Sequence, residues 1–197
     1  MKIIPDDIAG RIEQLEEKPA LKVLRTEHPA LPLLEEFLQE LASLSVQLQE
    51  GELPAELQPV LRFLGIRNPI GYFCERLVFL GVPAALESQV LLADLELLAR
   101  KQQPISLQLS GTIVVLSTSY CPYCPYMAVL AHKIAAGSPG IYGVVVSLQE
   151  YPEVAERLCL QAVPCTLVFK NGELVAEFYG IRPERLFLKE LEEWLKK

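Results

Sequence analysis

Two segments of this chain repeat each other at a nearly constant distance, and that repetition limits its fold more than any single motif does. "FLGVPAALESQVLLADLELL" begins at Phe79 and "FYGIRPERLFLKELEEWL" at Phe178; each passes from an aromatic strand end through glycine into an apolar-periodic helix. Phe79 and Phe178 lie 99 residues apart, as do Gly81 and Gly180. Pro69 in "RNPIGYF" answers Pro164 in "QAVPCTLVF" 95 residues later, and "HPALP" at 28 answers "YCPYC" at 120. Self-similarity of this kind marks a tandem duplication. In 197 residues it predicts two units of about 100 residues, each long enough to bury a core.

Hydrophobic periodicity fills in the units. An N-terminal helix is expected around Asp6 to Glu17, then a strand at Leu21 to Arg25, a helix from Pro32 to Ser43 and a strand at Val46 to Gln49. A helix near Ala55 to Leu64, a hairpin within Ile70 to Leu80 and a helix from Pro83 to Arg100 complete the first half. In the second half "TIVVLS" reads as a buried strand, with a helix after Tyr123 to about Ala136, a strand at "IYGVVVSL" and a helix at "YPEVAERLCL". "TLVFKNGELVAEFYG" reads as two strands joined at Asn171-Gly172, a strong hairpin signal, and the last helix starts at Pro183. Both halves thus follow the order β-α-β-α-β-β-α, that of a thioredoxin fold. The expected class is α/β, with two tandem units that each have a mixed central sheet flanked by helices. The junction falls in "ARKQQPIS", which divides the chain into 1–103 and 104–197. No Gly/Ser-rich spacer is present there, so the halves are expected to pack together and not to swing freely.

The chemistry centres on "SYCPYCPYMAVLAHKIA", where Cys121 and Cys124 stand three apart. Five cysteines at irregular spacing do not form the even framework of a small secreted scaffold. The close pair is open to three readings: a redox couple, half a metal site, or neighbours in a core. A tetrahedral zinc site needs two more ligands from Cys74, Cys159, Cys165, His28 and His132, and none of these forms a second close pair. The strand-to-helix position favours redox work. Unpaired amides and the helix dipole at a helix start stabilise a thiolate, and a neighbour three residues on can resolve the mixed disulfide that the first sulfur forms. Pro122 and Pro125 are expected in the first helical turn, where a missing amide hydrogen costs least.

A second signal is "AVPCT". Paired with "CPYC" some 40 residues upstream, Pro164 is expected in the cis form, with Val163 and Pro164 presenting backbone hydrogen-bonding groups to a substrate chain. Tyr120 and Tyr123 flank the first cysteine and could form a rim that grips substrate, with Tyr123 the more exposed. Cys165 is weighed as a small core residue against a third thiol, and Cys74 and Cys159 are expected to be buried and inert. His132, eight residues past Cys124 or about 12 Å along a helix, is expected to pack or cap and not to act as a catalytic base. Trp194 is expected to anchor the last helix, and the charged stretch from Lys189 to Lys197 to be a solvated face.

Residues 105–197 resemble the thioredoxin and glutaredoxin superfamily, and the whole chain resembles the two-unit protein disulfide oxidoreductases of archaea and thermophilic bacteria, also called glutaredoxin-like proteins. The residues that carry this are "CPYCP" with "AHK" after it, "EYPEVAERLCLQAVP", and "NGELVAEFYGIRPERLFLKEL". Such proteins are similar to the N-terminal part of the flavoprotein that reduces bacterial peroxiredoxin. The resemblance implies Cys121 as the attacking cysteine, Cys124 as the resolving one and Val163-Pro164 as the peptide-docking edge. It implies protein disulfides or a peroxiredoxin-like client as substrate and a separate flavin- and NADPH-dependent reductase as electron source, with no bound cofactor. Two departures stand out. Where the family commonly has a first-unit cysteine pair, this chain has Pro29 and Pro32, so that unit is expected to be redox-inactive, with His28 a relic of the lost site. Val115 stands where thioredoxins proper carry a buried acid, so proton transfer to Cys124 must be handled otherwise.

Composition removes other classes. A net charge of −7 and a pI near 5.0 supply no basic surface for nucleic acid or anionic membranes. No apolar run is long enough to span a bilayer, and "MKIIPDDIAG" lacks the pattern of a signal peptide, so a cytoplasmic protein is expected. The alternatives to a protein disulfide oxidoreductase are a glutathione-linked glutaredoxin, which lacks an evident second anion-binding loop here, and a binding scaffold or iron-sulfur carrier built on the same units.

Overall fold

A computed structural model describes residues 2–100 and 102–196; Lys101 of the junction and Lys197 of the terminal charged stretch lie outside the described residues. The first half contains α1 (Asp6–Glu13), β1 (Leu21–Leu24), α2 (Leu31–Ser43), β2 (Leu48–Glu50), α3 (Gln58–Leu64), β3 (Gly71–Cys74), β4 (Leu77–Leu80) and α4 (Ser88–Leu98). The second contains β5 (Ser110–Ser117), α5 (Cys124–Gly137), β6 (Gly140–Ser147), α6 (Pro152–Arg157), β7 (Cys165–Lys170), β8 (Glu173–Tyr179) and α7 (Glu184–Lys196).

Several boundaries differ from the periodicity reading for local reasons. The first helix stops at Glu13, and the strand expected from Val46 begins only at Leu48. The Val46 amide still donates to the Leu41 carbonyl, closing the end of α2, and Ser45 turns through φ 62°. The two helices expected from Ala55 and Pro83 open as 3-10 turns, Ala55–Leu57 and Ala85–Glu87, before becoming α3 and α4. The helix in "YPEVAERLCL" ends at Arg157, and Cys159 leaves it with φ 48°. The hairpin between β7 and β8 turns through Asn171 and Gly172, both at positive φ, the conformation this dipeptide favours.

The eight strands form one sheet in the order β2-β1-β3-β4-β6-β5-β7-β8. Each half repeats the same arrangement: its first two strands pair in parallel, and its closing hairpin adds antiparallel to the first strand. The halves join where β4 pairs in parallel with β6, Leu77 opposite Gly143 through Leu80 opposite Val146. One contiguous core runs from Ile3 to Leu195. The helix α5 is buried on most of its circumference, by Cys124, Met127, Ala128, Ala131, His132 and Ile134 among others, because it is covered by α4 as well as by the sheet. β1, β4, β6 and β5 all point the same way, so the loops after β1 and β5 open on the same edge of the sheet. "HPALP" and "CPYC" therefore face the same side of the molecule. No helix among the described residues is long and apolar enough to cross a membrane.

Candidate active site

The strand β5 delivers the chain into a turn in which the Cys121 amide donates to the Thr118 carbonyl (3.1 Å). Helix α5 then begins at Cys124. Pro125 lies in the first helical turn as expected, whereas Pro122 lies before the helix, which starts one residue after Tyr123. Cys121 and Cys124 form a disulfide with their Cα atoms 5.4 Å apart. Cys121 is 8% exposed and Cys124 fully buried, so an incoming group meets Cys121 first. The Cys124 backbone N–H donates to Cys121 Sγ at 3.1 Å. That contact, with the positive end of a 14-residue helix behind it, favours negative charge on Cys121 once the disulfide is opened.

The Val163-Pro164 bond is cis, and Pro164 is buried at the start of β7, the strand that pairs with β5. Its carbonyl accepts from the Gly180 amide, leaving half-buried Val163 at the edge. Tyr123 is 62% exposed, but Tyr120 exceeds it at 81%, contrary to the expected order, and Tyr126 adds a third partly exposed ring at 45%. Pro122, Pro125 and Tyr126 border a groove of about 600 Å3 whose far wall includes Asp7, Arg11 and Glu96 of the first half.

The remaining thiols separate clearly. Cys165 is fully buried, and burial, followed by the nearby Glu177 charge, pushes its thiol up to about 12. It is a protonated core residue at neutral pH. Cys74 and Cys159 do not match their expected burial: Cys74 is half-buried, with burial pushing its thiol up to about 11, and Cys159 is exposed. The apolar neighbours Leu158 and Leu160 turn inward while the positive φ at Cys159 turns its side chain out. Alkylation of the folded, oxidised protein at neutral pH should therefore label Cys159 fastest, and Cys165 only after unfolding; peptide mapping of the labelled chain reads both. Among the described residues no three His, Cys, Asp or Glu side chains converge in a way that could hold a metal ion.

Sequence reasoning missed one residue at this site. Glu87, in the turn before α4, is fully buried and crosses from the first half into the second, where its Oε2 accepts from Ser119 Oγ (2.9 Å) and Ser147 Oγ (3.0 Å). Ser119 lies two residues before Cys121, and the Leu86 amide donates to its carbonyl at 3.1 Å. Burial pushes the Glu87 carboxyl up to about 7, with the hydroxyls only partly opposing it. Its Oε1 is buried with no hydrogen-bond partner among the described residues. An acid from the other half thus binds the segment that leads into Cys121.

The corresponding loop of the first half is contacted reciprocally, from the second half. Tyr151, just after β6, sends its hydroxyl to Ile70, accepting from the amide (2.7 Å) and donating to the carbonyl (3.3 Å). Its ring lies 5.0 Å from that of His28. The backbone edge beside Pro69 is therefore occupied by the chain itself. His132 is a fully buried packing residue bonded to Asp94, and Trp194 stacks on Phe178 at 6.0 Å, anchoring α7.

No family model matches this chain. Thioredoxin-2 of Pyricularia oryzae is 37% identical over 75 residues, covering 36% of this chain and 44% of that protein, so the chain spans less than half the length of this relative. A protein disulfide oxidoreductase of Aeropyrum pernix superposes over 100% of this chain and 95% of its own, with a TM-score of 0.76 at 18% identity. The alkylhydroperoxide reductase AhpF of Enterococcus faecalis superposes over 96% of this chain and 100% of its own, with a TM-score of 0.75 at 20% identity. At these identities the likeness is one of fold.

Proposed function

We propose that this chain, two thioredoxin-fold units in tandem, is a thiol-disulfide oxidoreductase that exchanges protein disulfides at Cys121 and Cys124. In this reading residues 1–103 form the redox-inactive unit and 104–197 the active one. The observation that carries it is the Cys124 N–H on Cys121 Sγ at the head of α5, a contact that stabilises one thiolate beside a second, buried sulfur. A buried structural cystine gains nothing from having the more accessible of its two sulfurs at a helix start.

In the reduced protein the Cys121 thiolate attacks one sulfur of a client disulfide. A Cys121-to-client disulfide forms, and the client's other sulfur leaves as thiolate and takes a proton from solvent. Cys124 then gives up its proton and attacks Cys121 Sγ, which releases the second client sulfur as thiolate, to be protonated from solvent, and forms the Cys121–Cys124 disulfide. Two electrons have passed from the cysteine pair to the client, whose two sulfurs take their protons from solvent. Glu87 is the buried group able to receive the Cys124 proton, by way of the Ser119 segment, since its carboxyl changes state near neutral pH. Val163 and Pro164 form the edge along which the client backbone lies, with Tyr120, Tyr123 and Tyr126 as its rim.

Clients are protein disulfides or an oxidised peroxiredoxin-like protein, and the oxidised pair is returned to dithiol by a separate flavin- and NADPH-dependent reductase. A cytoplasmic setting agrees with this chemistry. Insulin reduction tests the proposal: catalytic amounts of the protein should accelerate precipitation of the insulin B chain by dithiothreitol. A rate no faster than dithiothreitol alone refutes it.

A further inference from the structure

The two helix heads at the site belong to different halves, so their relative position must be set by something other than chain connection. Glu87 stands at the head of α4 and Cys124 at the head of α5. Seven residues below Glu87 is Asp94, and eight below Cys124 is His132. At about 1.5 Å per residue these lie about 10 and 12 Å down their helices, level to within about 2 Å. Here the helices are joined by the only fully buried His–carboxyl contact among the described residues, His132 Nδ1 to Asp94 Oδ1 at 2.6 Å.

Every other polar atom of the pair is also engaged. Tyr72 of β3 donates its hydroxyl to Asp94 Oδ2 at 2.8 Å, and His132 Nε2 lies 3.3 Å from the Val78 carbonyl of β4. A carbonyl can only accept, so Nε2 carries a hydrogen there. Gly143 of β6 leaves the ring its space, because a Cβ at that position would stand 2.9 Å from His132 Cδ2 and 3.0 Å from the Ala131 carbonyl. Tyr72, Asp94 and Val78 come from the first half and His132 and Gly143 from the second. Glu87, beside Tyr72, and Cys74, beside Asp94, also lie within electrostatic reach of the cluster.

We propose that Asp94 and His132 are positioning residues for the exchange reaction: their buried pair pins α5 against α4 in one axial register and so holds Glu87 level with the cysteine pair. Sliding α5 by one turn would break both ring contacts, and sliding α4 would break both contacts of Asp94, leaving buried polar atoms unpaired in either case, so only one register is available. The inference rests on Glu87 being the proton acceptor in the resolving step. It assigns the redox-inactive half a task that needs no cysteine.

The test is a double-mutant cycle on insulin reduction with Asp94→Asn and Glu87→Gln. If the pin acts through Glu87, each single variant slows exchange at pH 7 by about tenfold and flattens the pH–rate profile near neutrality. The double variant is then no slower than Glu87→Gln alone. Effects that multiply, or an Asp94→Asn profile that superimposes on that of the wild type, overturn the pin. A Glu87→Gln variant with wild-type rate and profile overturns the underlying proton-acceptor reading instead. Nitrogen-edited NMR of the unmutated protein needs no folded variant: the pin requires ring N–H signals of His132 protected from solvent exchange, and rapid exchange at both nitrogens refutes it.

Discussion

Replacing Cys121 by serine lowers disulfide turnover by at least about a thousandfold, because a neutral hydroxyl replaces the accessible sulfur of the pair, and the exposed Cys159 has no neighbouring thiol to resolve a mixed disulfide. The expectation follows from exposure. Cys121 is partly open beside exposed tyrosines, whereas Cys124 is sealed beneath it and Cys165 is a buried, protonated thiol that cannot substitute. The companion variant Cys124→Ser behaves differently. Its Cys121 still attacks, but the serine cannot resolve the product, so a covalent complex with the client accumulates in stoichiometric amount. Non-reducing electrophoresis reads the complex, and dithiothreitol dissolves it. If Cys121→Ser retained turnover, or if Cys124→Ser trapped client through Cys159 instead, the order of attack proposed for the pair would be wrong.

The repeat was legible because the same backbone demands recur in each half. Gly81 and Gly180 both turn at positive φ, 113° and 77°, just past the closing hairpin, where a side chain would be strained. A glycine at equal distance in two halves is thus a record of equal geometry, and the strand order repeats accordingly. Cys121 and Cys124 were legible for a similar reason, since a strand-to-helix step is a local pattern. Glu87 was not. In "PAALESQ" it reads as one more acid at a helix start, and its burial is produced by Ser119 and Ser147, which lie 32 and 60 residues away in the chain. The Asp94–His132 pair, 38 residues apart, escaped for the same reason: periodicity assigned His132 to packing, but its partner lies on another helix. Cys159 was misjudged from its apolar neighbours because a single positive φ reverses the direction of one side chain.

Glu87 also makes a prediction about stability, one whose sign runs opposite to that of an ordinary paired carboxylate. Below pH 4.5, the carboxyl's ordinary value, it is protonated whether the chain is folded or unfolded; above about 7 it is ionised in both states. Between those limits the folded chain holds a proton that the unfolded chain has lost, so stability falls as pH rises through this window. A rise from 4.5 to about 7 corresponds to a full penalty of about 3 kcal/mol. No solvent screening reduces it, since Glu87 is fully buried. Glutamine keeps the shape and the links to Ser119 and Ser147 without the charge. Urea denaturation of oxidised Glu87→Gln should match the wild type near pH 4 and exceed it at pH 8 by about 3 kcal/mol, with the same slope in denaturant. The stabilised variant should be the poorer catalyst. An acid that costs stability where the protein works, and gives way to glutamine with a gain in stability and a loss in rate, is held for its chemistry. A difference between the two proteins that stays constant from pH 4 to pH 8 would mean that Glu87 carries no proton near neutrality, and the route proposed for the Cys124 proton would fail with it.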